Sequence, residues 1–145
     1  MEESLREARA AGAQGEVPIG AVVVRDGVLV ARAGNATIAE SDPTGHAEVR
    51  ALRSAARAAG NYRLPGAVLY VTVEPCVMCM GAALQARIAR LVYGCADPKA
   101  GAAGSLFDLG RDRLNHRIVV DARVAEDECR TLIQEFFHAR REPAR

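Results

Sequence analysis

The chain has 145 residues, 50% hydrophobic and 26% charged, a balance that fits one globular domain over 1–145 and excludes intrinsic disorder. Nineteen basic against 18 acidic residues leave a formal charge of +1, without the excess of a general nucleic-acid binder, although a local basic patch stays open. No apolar run approaches the roughly 20 residues that span a bilayer, and the start Met1-Glu2-Glu3-Ser4-Leu5-Arg6-Glu7 lacks the apolar stretch of a signal peptide, so a cytoplasmic protein without membrane contact is expected.

Residues 2 to about 14 carry a helical pattern with Leu5 and Ala8 on one side, and Gly15 is the stop signal. Val17 to Val24 is a β-rich run. Asp26-Gly27 then signals a hairpin turn, and 28–33 returns as the second strand. Residues 34–45 read as loop. His46 to Ala59 predicts a helix with Val49, Leu52, Ala55 and Ala59 inward, closed by Gly60-Asn61. Ala67 to Val73 is a nearly continuous apolar strand, the mark of a sheet covered on both faces. After Pro75, residues 76–89 read as a helix, 91–94 as a short strand, 95–116 as a glycine-containing loop and 117–120 as a further strand. A last amphipathic helix runs from Glu126 to about Glu142, with Cys129, Leu132, Ile133, Phe136 and Phe137 inward. Strands alternating with helices predict an α/β fold with a covered sheet that begins in an antiparallel hairpin.

The chemistry concentrates at two junctions that lead into helices. The first is His46-Ala47-Glu48 and the second is Pro75-Cys76-Val77-Met78-Cys79. In a reducing compartment the four cysteines (76, 79, 95 and 129) are not expected to form disulfides, so Cys76 and Cys79 are a candidate metal or redox pair. One His and two Cys suit Zn²⁺. The start of a helix favours both thiolates, and an i, i+3 spacing lets both reach one ion. Three protein ligands leave a fourth position for water, whose pKa zinc lowers from 15.7 to about 7. Glu48 is then placed to carry the proton. Since i and i+2 on a regular helix face different ways, His46 has to lie at or before the helix start. A structural zinc would need a fourth ligand from Cys95, Cys129 or His116. Cys129 and Cys95 read instead as packed thiols, His116 as a hydrogen-bonding residue and His138 as a solvent-edge residue.

His-Ala-Glu followed by Pro-Cys-x-x-Cys resembles the signature of zinc-dependent nucleobase deaminases. Glu16 to Val22, Asp42-Pro43-Thr44, Asn61 to Leu64, Leu69 to Cys79, Gly101-Ala102-Ala103-Gly104-Ser105 and Asn115-His116-Arg117 resemble bacterial tRNA-specific adenosine deaminases, from residue 1 to about residue 141. That resemblance implies a three-layer α/β/α sandwich of the cytidine deaminase-like type, with a mixed sheet of about five strands. It implies one zinc per subunit on His46, Cys76 and Cys79, Glu48 as proton shuttle, and conversion of wobble adenosine to inosine in a tRNA anticodon stem-loop. It also implies a homodimer, with substrate contacts from Asn35, Asp97, Lys99, Phe137 and Arg140. Gly45 departs from the Ala expected before the metal-binding His, and the chain ends at Arg145 without the longer basic tail of some relatives. A deaminase of free guanine, cytosine or cytidine is the alternative enzyme. A non-catalytic zinc module would have no use for Glu48, and a redox protein would hold no zinc.

Overall fold

The structure, a computed structural model, describes residues 1–111 and 114–141. Helix α1 (Glu2–Ala13) buries Ser4, Leu5, Ala8 and Ala11, one stripe at helical spacing. Strands β1 (Gly20–Arg25) and β2 (Val28–Gly34) follow. Asp26 and Gly27 join them at φ 53° and 76°, the left-handed pair that a two-residue hairpin turn needs. β1 starts later than the apolar run, because Pro18 has no N–H to give a ladder.

Helix α2 (Ala47–Ala59) is capped by His46 and ends at Gly60 in the left-handed conformation. Its buried stripe is Ala47, Glu48, Ala51, Leu52 and Ala55. The expected inward positions Val49 and Ala59 are half-buried and exposed, so the stripe sits about one residue earlier than the larger side chains suggested. Strand β3 (Val68–Val73) leads into α3 (Val77–Gln85), and β4 (Arg90–Cys95) follows. α3 stops four residues before the expected Ala89. Arg87 turns to φ 57°, which lets Ile88 bury completely and the N–H of Ala89 donate to the Ala67 carbonyl.

Strand β5 is short (Val119–Asp121), and α4 spans Glu126–Arg141. Its expected end near Glu142 falls outside the described residues. Only Cys129 of α4 is fully buried. Leu132, Ile133 and Phe136 are half-buried, and Phe137 is 42% exposed rather than inward.

The sheet order is β2-β1-β3-β4-β5. β1 is antiparallel to both neighbours, whereas β3, β4 and β5 are mutually parallel. α1 packs on β1, β2 and β3 and touches α4, while α2 packs on β1 and β2 and touches α3. The helix pairs thus cover opposite faces, the α/β sandwich that the alternation of elements implied. The main core joins Leu69, Val71 and Leu91 of the sheet to Ala51 and Leu52 of α2 and Met80 and Leu84 of α3. The pairings Gly20↔Gly34 and Val73↔Cys95 bring the carboxyl ends of β2, β3 and β4, and the start of β1, to one edge. In open α/β sheets that edge is where ligands bind. Among the described residues, no helix is long and apolar enough to cross a membrane.

Candidate active site

The two chemical junctions meet at this edge because each feeds a helix start. His46 caps α2 with extended backbone (φ −73°, ψ 148°), so its side chain escapes the helical direction and can share a site with Glu48 two residues on. Cys76 caps α3 in the same way (φ −77°, ψ 177°), with Cys79 in the first turn. Gly45 is pinned, donating to the Asp42 carbonyl at 3.0 Å and accepting from the Ala36 N–H at 2.9 Å. A Cβ there would lie 3.1 Å from the Asp42 oxygen and 3.3 Å from Ala36, so glycine lets the loop close against the residue before His46.

His46 Nδ1 lies 3.7 Å from Cys76 Sγ and 3.5 Å from Cys79 Sγ. Tetrahedral zinc with Zn–S of about 2.3 Å and Zn–N of about 2.0–2.1 Å would separate N and S ligands by about 3.6 Å. The three donors therefore fit that ion. Among the described residues, no other group of three or more His, Cys, Asp or Glu side chains has its donor atoms gathered this way. His116 is occupied elsewhere, its Nε2 lying 2.7 Å from the Ile88 carbonyl, and Cys95 and Cys129 are buried in the second core cluster.

The protein groups alone already polarise the two thiols. A hydrogen bond from the Cys79 thiol, aided by the N–H groups of the first turn and the nearby imidazole, pulls Cys76 down to about 5 against the effect of burial. The same contact, together with burial and the Glu48 carboxylate, pushes the Cys79 thiol far up. The pair thus shares a proton that a divalent cation would displace. Glu48 is 4% exposed, and burial raises its carboxyl pKa, opposed mainly by a hydrogen bond from its own N–H, with Cys79 and the His46 imidazole close by. A buried carboxyl with a raised pKa beside a metal-type cluster is the arrangement of a general acid–base group.

Of the remaining candidates, Asp97, Lys99 and Phe137 border one groove, and Asn35 and Arg140 lie outside it. Asn35 is almost buried at the end of β2, its N–H donating to the Ile19 carbonyl, one residue from the Ala36–Gly45 hydrogen bond. Asp97 Oδ1 accepts from the N–H groups of Lys99 (3.0 Å) and Ala100 (3.1 Å), so this side chain shapes its own turn. Asp97, Lys99, Phe137 and Arg141 border a groove of about 370 Å³ with Val17 and Ile19. Arg140 turns away from it, donating to the Gly15 carbonyl at 2.6 Å with its guanidinium 4.4 Å from the Phe136 ring centre.

Two buried carboxylates escaped the sequence reading. Glu16, 2% exposed, accepts from the N–H groups of Ile38 (3.0 Å) and Ala39 (2.8 Å) and from the Thr37 hydroxyl (3.4 Å). Glu74, 3% exposed, accepts from the 97–105 loop. Their partners lie 21 to 31 residues away, so no local pattern announces them; the signal available was a charged residue beside Val17-Pro18 and beside Val73-Pro75, in otherwise apolar runs.

The sequence model of the MafB19-like deaminase family matches residues 1–141. Similar curated proteins include the tRNA-specific adenosine deaminases of Agrobacterium fabrum, 48% identical over 97% of this chain and 93% of that protein, and of Bacillus subtilis, 44% identical over 94% and 86%. Among solved structures, one from studies of A-to-I editing by tRNA:A34 deaminases at the wobble position of transfer RNA superposes with a TM-score of 0.89 at 49% identity, covering 91% of this chain and 96% of that one. A guanine deaminase from Nitrosomonas europaea superposes with a TM-score of 0.78 at 27% identity, covering 93% and 81%.

Proposed function

The chain belongs to the MafB19-like deaminase family, and from that premise we propose that it is a zinc-dependent tRNA adenosine deaminase, converting adenosine to inosine at the wobble position of an anticodon stem-loop. The observation that carries the reading is a buried Glu48 beside the His46–Cys76–Cys79 cluster, in a chain 41–48% identical to tRNA-specific adenosine deaminases. His46 through Nδ1, Cys76 and Cys79 are the ligands. When bound there, zinc supplies Lewis acidity that brings the pKa of a water from 15.7 to about 7. Glu48 takes a proton from the attacking water and delivers it to the departing amine, so that adenosine and water give inosine and ammonia. Asn35 faces the nucleotide from the end of β2. Asp97, Lys99 and Phe137 border the RNA, with Arg140 bracing α4 behind Phe137. A base in a stem-loop must be splayed out before it can reach such a site, and an open groove at the same edge of the sheet, where β3 and β4 end, suits that.

We take 1–145 as one deaminase domain working as a homodimer in the cytoplasm. Support for the second copy comes from Val77, Leu106 and Phe107, each about half exposed. They gather near the start of α3, because Ala102 donates to the Pro75 carbonyl and Leu106 to the Gly101 carbonyl. The test is an inosine assay on the purified protein with a stem-loop bearing wobble adenosine, with metal content recorded and free guanine, cytosine and cytidine run in parallel. Inosine at the wobble position alone is expected. Turnover of guanine, cytosine or cytidine with the stem-loop untouched would keep the metal chemistry and transfer the protein to deamination of a free base or nucleoside.

A further inference from the structure

Glu74 stands between two parts of the site and belongs to neither. It follows β3 and sits two residues before Cys76. Its own N–H donates to the Cys95 carbonyl at 2.9 Å, extending the β3–β4 pairing to the edge where the site lies. Its side chain crosses into the loop after β4. Oε1 accepts from the Asp97 N–H at 3.2 Å and from the Ser105 hydroxyl, and Oε2 accepts from the N–H groups of Ala103 at 3.0 Å and Ser105 at 3.1 Å. Four donors from both ends of one loop thus converge on a single buried carboxylate.

The loop is shaped around that group. A Cβ on Gly101 would lie 2.2 Å from Glu74 Oε2, so only glycine lets the backbone wrap the carboxylate this closely. The Ala102 N–H, donating to the Pro75 carbonyl at 2.8 Å, adds a second tie to the same turn. Aspartate would fall one methylene short of the donors. Glutamine would turn an N–H₂ group towards at least one N–H that now has an acceptor.

We propose that Glu74 is a positioning residue for RNA recognition: its carboxylate fixes the register between the cysteine-bearing turn and the 97–105 loop, which holds Asp97 and Lys99 at the groove. The proposal rests on the reading of the protein as a tRNA deaminase and deepens it. The metal ligands are set by the local backbone of their own helix starts, His46 and Cys76 at the caps of α2 and α3 and Cys79 in the first turn, so loosening the 97–105 loop leaves the chemical step in place and weakens its engagement with the stem-loop.

The test compares wild type, Glu74→Gln and Ser105→Ala, all metal-loaded, on a wobble-adenosine stem-loop, with metal content and kcat measured separately from KM. Losing charged hydrogen bonds of this kind should raise KM for Glu74→Gln roughly tenfold or more, with kcat within about threefold and metal content unchanged. Ser105→Ala removes one bond from an exposed residue, leaves the fold intact, and should raise KM by roughly threefold. Parallel losses of metal, kcat and thermal stability in Glu74→Gln, with no KM change in Ser105→Ala, would reduce Glu74 to a folding role and overturn the proposal. An active wild type with unchanged KM in both variants would overturn it as well and leave the function standing. A wild type inactive on the stem-loop would overturn the functional reading and this proposal together.

Discussion

Replacing Glu48 by glutamine separates the chemistry of the site from its stability. The side chain is 4% exposed, and its neighbours in the cluster are assigned to the metal, so bulk water has little access to take over its role. A positioned acid–base group contributes about 10²–10⁴ in rate, and the burial of Glu48 places its loss near the upper end. A 10⁴-fold fall in kcat corresponds to about 5.4 kcal/mol of transition-state stabilisation. In the metal-free protein, stability should move the other way. The folded-state pKa of Glu48 is raised by burial, so the native protein holds a proton that the unfolded chain releases as pH climbs above its ordinary carboxylate pKa. Between the two values the native state binds more protons, and stability falls with rising pH. Above the folded pKa that loss is complete. Glutamine does not titrate and removes this penalty, so the variant should melt no lower than wild type at neutral pH, with its advantage shrinking towards acid pH. The assays are single-turnover deamination with metal content measured on the same samples, and thermal melts of the metal-free protein from pH 4 to 8. Activity within tenfold of wild type at full metal occupancy would refute the assignment of Glu48 as the proton carrier.

Cys79→Ser should lose metal along with activity, because the Cys79 sulfur is 3.5 Å from His46 Nδ1 within the donor triangle; full occupancy by elemental analysis would contradict the ligand set. Glu16→Ala should leave the N–H groups of Ile38 and Ala39 without their acceptor. These bonds are part-buried, so losing them should cost about 1–3 kcal/mol in all, and at about 2–4 °C per kcal/mol for a protein of this size the melting temperature should drop by roughly 3 °C or more; a shift under about 1 °C would refute the bracing role of Glu16. Phe137→Ala, at the 42%-exposed groove wall, should raise KM for the stem-loop roughly tenfold with kcat preserved, the scale of one lost base–aromatic stack; an unchanged KM would move the RNA path away from α4.

Much of the site was legible because its signals are local. Asp26-Gly27 specifies its turn through two left-handed residues, Gly60 closes α2, and the cysteine spacing of three fits one helical turn. The requirement that His46 precede the helix follows from helical geometry, and the cap confirms it. What escaped was set by distant partners. Residues 86–89 (Ala86, Arg87, Ile88 and Ala89) carry no stop signal, and α3 ends because the Ala67 carbonyl recruits Ala89 for the sheet. Phe137 fits an inward pattern on its own helix, but among the described residues α4 packs only on β3 and β4 and touches α1, and of its residues only Cys129 is fully buried, so Phe137 lies outside what the sheet covers. The inward stripe of α2 follows small alanines that pack closely on β1 and β2, so the bulk of Val49 misled.

The hairpin between β1 and β2 also offers a handle. β1 starts at the catalytic edge and runs away from it for six residues, so the Asp26-Gly27 turn stands about 20 Å off at 3.3 Å per residue. The 61–66 turn lies beside it, since Arg25 donates to the Pro65 carbonyl. Val28 and Tyr62 at that pole are 60% and 65% exposed, and they, rather than the left-handed Gly27 and Gly66, are the positions to substitute. A fluorophore, a surface tether or a short peptide insert at that pole would report on the protein, or immobilise it, without reaching the groove or the cluster. Attachments at the other pole, where α3 begins and the 97–105 loop folds, would block both.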